Sequence, residues 1–177
     1  MAVRDISASL RRAKTVLHRR PATALHDDAP ATTRWDGGLR FVATHANGTQ
    51  VRSDMPSELG GGDDAITPGW LFRAGFASCT ATAIAMTAFA EGIELEALEL
   101  VATSRSDTRG VLGMADASGE PISPGARDVQ LLVRIAAKGV SPERLRALVE
   151  KGYCCSPAAT GLAEVTPVTL RIEVGDG

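Results

Sequence analysis

Three cysteines carry the clearest chemical potential in this chain, and two of them stand side by side in KGYCCSPAATGL as Cys154 and Cys155. The third, Cys79, lies far upstream in GFASCTATAIAM. A thiolate is a nucleophile, and its first oxidation product condenses with a second thiol, so one cysteine on one segment and a doublet on another form a candidate redox set. Each has a plainer reading beside it. A free cysteine commonly serves as a small core hydrophobe, and the doublet can be two small apolar residues at a helix junction. Cys79 falls more than two turns into a predicted helix, beyond the reach of the helix dipole, so a reactive thiol there needs a cation brought from elsewhere in the fold. Adjacent cysteines seldom close a ring on themselves, whereas a doublet in a loop between helices has the freedom to reach a distant sulfur. Other chemistries lack their residues. His18, His26 and His45 are scattered, with no C-x-x-C or H-x-x-x-H pair, so no metal site is expected. No Walker motif, no G-x-G-x-x-G after a strand and no G-x-S-x-G is present, and GGGDD does not lead into a Lys-Ser/Thr step.

The elements that must position these thiols follow from periodicity and punctuation. Residues 5–18 place Ile6, Leu10, Ala13 and Leu17 on one face, which predicts a helix ending before Pro21, and residues 22–31 read as a linker. TTRWD, LRFVATHA and TQVRSD alternate between Gly37-Gly38 and Asn47-Gly48, the latter read as a two-residue hairpin turn, so a small antiparallel sheet is expected over residues 32–54. MPSELGGGDDAITPG is a loop. Thr67-Pro68 then opens a long, mostly buried helix running to about Glu91, with Gly92 as its stop and Cys79 in its middle. A strand from about Leu98, a Gly- and Pro-rich excursion over 107–126 and a strand over 127–137 come next. Ser141-Pro142 starts a helix to about Lys151 that Gly152 ends, Ser156-Pro157 starts a short one, and residues 165–174 form a closing strand with Pro167 near its beginning. This order is α+β rather than doubly wound.

Bulk properties narrow the function classes. With 177 residues and 44% hydrophobic content, the chain suits one core-bearing domain, and 4% aromatic content means that core is built from Ala, Leu, Val and Ile. A formal net charge of -2 offers no basic footprint for nucleic acid, and the longest apolar run, from Phe76 to Ala90, is too short to span a bilayer. MAVRDISASLRRAK lacks an apolar signal core, so a cytoplasmic location is expected, where thiols stay reduced unless they are catalytic or redox-sensing.

MPSELGGGDDAITPGWLFRAGFASCTATAIAM resembles the centre of the OsmC/Ohr family, the osmotically inducible and organic hydroperoxide resistance proteins: a Gly-rich loop, a Thr-Pro helix start, an L-F-x-A-x-x-A-S-C run and small residues after the cysteine. WDGGLRF resembles the family's arginine-bearing N-terminal hairpin, DTRGVLG its feature after the central helix, and LRALVEKGYCCSPAATGL followed by VTPVTLRIEV its second cysteine region. The likeness covers roughly residues 32–174 and leaves residues 1–31, the N-terminal helix and linker, outside an OsmC-like domain of residues 32–177. It implies antiparallel sheets around a long buried central helix, in an intertwined homodimer with two sites at the subunit interface. It implies a thiol peroxidase acting on organic hydroperoxides, with a dithiol reductant and no cofactor. Carried over, Cys79 is the attacking thiol, Cys155 or Cys154 the resolving one, and Arg40 the activating cation, although Arg40 read by itself is a solvated strand charge. Trp70 and Phe76 are expected against the substrate. Two departures stand out. The family's helix start carries a glutamate where this chain reads Pro68-Gly69-Trp70-Leu71, and Ser156 aligns with the family's second cysteine. The second reading these departures open is a dimeric small-molecule binding protein, or an enzyme on another electrophile, with the same fold and no peroxidase cycle.

Overall fold

The computed structural model describes residues 3–164 and 168–172. Helix α1 (Val3–Arg19) is followed by strands β1 (Thr32–Trp35), β2 (Phe41–Thr44) and β3 (Gln50–Ser53), which form an antiparallel sheet in that order. Helix α2 (Pro68–Ala90) comes next, then β4 (Leu95–Arg105), the one-turn α3 (Thr108–Val111), β5 (Arg127–Ala137), α4 (Pro142–Cys154) and α5 (Pro157–Ala163). β4 and β5 pair antiparallel as a second, two-stranded sheet. The architecture is the expected α+β one.

Local chemistry explains the boundaries of α2. The Thr67 hydroxyl accepts from the Trp70 N–H at 3.2 Å, and Pro68 needs no donor in the first turn. At the other end the Ile93 N–H reaches the Ala88 carbonyl at 2.9 Å and the Gly92 N–H reaches Phe89, closing the helix through Gly92 at φ +74°. α2 presses Ile84 and Ala88 into a core completed by Leu148 of α4 and by Leu98, Leu100, Val133 and Ile135 of the second sheet. α1 lies against α2 over its first half only. The buried Ser7 hydroxyl donates to the Phe89 carbonyl, whereas Leu17 is exposed.

Several expectations change here. The β2–β3 connection is a three-residue loop, with the His45 N–H bonded to Thr49 and only Gly48 at positive φ, because a type I turn followed by one left-handed glycine already reverses the chain. β4 begins at Leu95 rather than Leu98, and the 107–126 excursion contains α3 and a bridge between Ala115 and Pro121. α4 runs past Gly152 to Cys154. Gly152 is not a stop: a Cβ there would lie 2.6 Å from the Ile84 Cα, so the glycine is where two helices touch. Of the expected closing strand, residues 168–172 lie outside any strand, and 165–167 and 173–174 lie outside the described residues.

Much apolar surface is left open. β1 is exposed along its length, Trp35, Trp70 and Phe72 are exposed, and so are Val168, Leu170 and Ile172. The chain presents 13311 Å² to solvent, against about 8,200 Å² for a folded monomer of its mass. No helix among the described residues is long and apolar enough to cross a membrane.

Candidate functional site

Cys79 is half-buried on α2, and Thr82, Ala83, Met86 and Ala90 continue its face of the helix along a cavity of about 590 Å³. Leu10 and Lys14 of α1 form one wall. Lys151, Cys155 and Pro157, from the end of α4 and the start of α5, form another. Cys79 and Cys155 therefore line one solvent-open cleft. Both doublet cysteines are exposed, but only Cys155, the C-cap of α4, lines the cavity; Cys154, the last residue of that helix, does not. The doublet sits on a helix end rather than on a free loop, because α4 continues through Gly152.

The Ser156 hydroxyl donates to the Cys79 sulfur at 3.6 Å. Ser156 is fully buried and caps α5 by accepting the Ala159 N–H at 3.3 Å. It also contacts the buried Thr80 hydroxyl at 3.0 Å. Further along the cavity, Glu91 accepts from Lys151 at 2.7 Å and from Arg144 at 2.6 Å. The Lys151 hydrogen bond holds the Glu91 carboxyl below its ordinary range, against the opposing effect of burial and with help from Arg144. This bridge ties α4 to the C-terminal end of α2 and so fixes the helix that delivers Cys155.

Arg40 is elsewhere. It follows the Gly37-Gly38 turn, pairs with Asp64 at 2.6 Å and Asp54 at 3.4 Å, and lines a separate cavity of about 150 Å³. The Asp64 hydrogen bond raises the Arg40 pKa further. Burial pushes the Asp54 carboxyl up, but the Met55 and Gly62 N–H groups and Arg40 prevail and leave it below its ordinary value. The three glycines make this possible. Gly60 adopts φ +85°, a Cβ on Gly61 would sit 1.7 Å from the Met55 carbonyl oxygen, and one on Gly62 would sit 2.4 Å from the Arg40 guanidinium. GGGDD is thus a wrap around Asp54 and Arg40. Within one chain, Arg40 and Cys79 are not brought together. Nor are Trp70 and Phe76 placed at the cavity: Trp70 is exposed in the first turn of α2, and Phe76 is 5% exposed in the interior. Arg73, on α2, donates to the Ser104 hydroxyl at 3.4 Å.

Sequence reasoning did not single out Asp54, Thr80 or Glu91. Their roles depend on partners remote in the chain, and only Ser156 carried a signal, its alignment with a family cysteine.

The chain belongs to the OsmC-like protein family, whose model matches residues 60–171. Among solved structures, it is similar to an OsmC-like protein from Mycoplasma pneumoniae, with a TM-score of 0.63, 18% identity and coverage of 80% of this chain and 91% of that one. An organic hydroperoxide resistance protein OsmC from Legionella pneumophila is similar at a TM-score of 0.56 and 22% identity, over 78% of this chain and 90% of the other. An organic hydroperoxide resistance protein from Elizabethkingia anophelis follows at 0.52 and 23%, over 77% and 89%. No curated protein matches the chain.

Proposed function

We propose that the chain is a cysteine-based peroxidase that reduces organic hydroperoxides. The observation that carries this reading is the shared cavity: Cys79 and Cys155 line one mostly apolar space large enough for a small organic molecule. The Cys79 thiolate attacks the terminal oxygen of the hydroperoxide, the O–O bond breaks, and the alkoxide leaves with a proton as the alcohol. The Cys79 sulfenic acid then reacts with the Cys155 thiol, releasing water and forming a disulfide. A dithiol reductant restores both thiols by exchange. Cys155 is the better candidate than Cys154 for resolution, because only Cys155 lines the cavity.

The working unit is an intertwined homodimer. An open β1 and the exposed Trp70 and Phe72 side chains support it. In that assembly the Arg40 of a second copy is the activating cation of Cys79, added to the Lys14 and Lys151 that line the cavity from its own chain. The names of the two hydroperoxide resistance proteins support the substrate class.

One equivalent of cumene hydroperoxide added to the reduced protein, followed by peptide mapping, tests the cycle. A Cys79–Cys155 disulfide is expected, and its absence after Cys79→Ser. No change at any cysteine sinks the peroxidase reading. It would favour the second one, a small-molecule binding protein of the same fold, which a serine at the position of the family's second cysteine also favours.

A further inference from the structure

The surroundings of Ser156 decide where its proton points. A serine hydroxyl has one proton and two lone pairs. The Ala159 N–H occupies one lone pair. Thr80 and Ser156 share the second contact, 3.0 Å between two fully buried oxygens. Among the described residues, the Thr80 hydroxyl has Ser156 as its one hydrogen-bond partner. Were Ser156 the donor in that pair, the Thr80 proton would be buried without an acceptor, which is costly. With Thr80 donating, both lone pairs of Ser156 are filled, and its single proton is left for the Cys79 sulfur at 3.6 Å.

We infer that Ser156 is a dedicated hydrogen-bond donor to the Cys79 sulfur, and that Thr80 is the positioning residue that aims it. The role rests on the reading of Cys79 as the nucleophile. A hydrogen bond to sulfur strengthens when the sulfur is charged, so the donor favours the nucleophilic form and orients its lone pairs. The charged form also gains from a donor that is already in place, since a buried, doubly accepting hydroxyl has nothing to reorganise. A thiol at this position would itself be oxidised during turnover. A hydroxyl is not, so Ser156 acts on Cys79 without being consumed.

The test is the rate at which iodoacetamide labels Cys79 in the full reduced chain, read by peptide mass spectrometry across pH. Lys14, Glu91, Lys151 and Cys155, the other ionisable groups around the cavity, are unchanged in every variant. Ser156→Ala and Ser156→Gly are expected to slow labelling near neutral pH about tenfold and to move the profile up by about one pH unit. Glycine is included because it is tolerated at a helix N-cap, so it removes the donor with little loss of capping. Ser156→Thr retains a hydroxyl and is expected to restore most of the rate. Thr80→Val leaves the donor but not its orientation, and a smaller fall is expected. An unchanged profile in the folded Ser156 variants would overturn the inference, as would a Thr80→Val loss equal to that of Ser156→Ala. No hydroperoxide enters the assay. A shifted profile in a protein that consumes no hydroperoxide would therefore leave the donor standing and remove the peroxidase.

Discussion

Gly152→Ala probes the contact on which the site geometry depends. The added Cβ would lie 2.6 Å from the Ile84 Cα, 2.8 Å from its Cγ1 and 3.1 Å from its backbone nitrogen. Carbon atoms rest at about 3.5–4.0 Å, so α4 must move off α2 by about 1 Å at this point. Two of the three obstructing atoms are backbone atoms of a fully buried residue, and no side-chain rotation relieves them. Overpacking of this kind costs about 1–3 kcal/mol. Helix propensity acts in the opposite sense, since alanine is better than glycine inside a helix by about 0.8–1.0 kcal/mol. The balance is a loss of about 1 kcal/mol, or a fall in Tm of about 2–4 °C for a chain of this length. The displacement also reaches the thiols. Cys155 and Ser156 follow Gly152 by three and four residues, so the 3.6 Å contact from Ser156 to Cys79 widens. Thermal unfolding at one fixed protein concentration, paired with the alkylation rate of Cys79, measures both effects. A rise in Tm, as propensity alone dictates, would refute the steric reading of Gly152.

Ser156→Cys places a sulfur in contact with Cys79, so hydroperoxide treatment is expected to join Cys79 to the introduced thiol ahead of Cys155; peptide mapping reads the ratio of the two disulfides. Gly61→Ala cannot be accommodated beside the Met55 carbonyl without opening the loop. It is expected to lower Tm and to break the hydrogen bonds that the Met55 and Gly62 N–H groups donate to Asp54, seen as faster amide exchange at both. The folded-state pKa of Glu91 lies below its ordinary value of 4.5, so its bridge to Lys151 and Arg144 stabilises fully above that value and is lost as pH falls through the lower one. Glu91→Gln should therefore flatten the acid side of the Tm-against-pH curve, and an unaltered acid limb would count against the bridge.

What the chain discloses in advance is what local chemistry decides. Thr67-Pro68 and Gly92 bracket α2 because capping needs only neighbouring residues, and the alternation of TTRWD, LRFVATHA and TQVRSD marks three strands for the same reason. Gly152 misleads because a glycine that stops a helix and a glycine that admits another helix look alike without sight of Ile84. The GGG loop is legible as a loop, but its purpose lies in burying Asp54 against backbone donors. Ser156 reads from the chain as a helix cap, which it is; that its other side meets Cys79 depends on α5 packing on α2. The placement of Arg40 beside its own acids, away from Cys79, cannot be foreseen from a motif that names residues without their place in the fold.

The exposed β1 has a consequence for how the protein survives in a cell. Among the described residues β1 and β3 are the edges of their sheet, so β1 offers backbone groups with no strand partner there along an exposed strand, and such edges recruit other strands. A newly made chain that meets no complementary surface is therefore at risk of aggregation and proteolysis, and its lifetime depends on how soon it finds one.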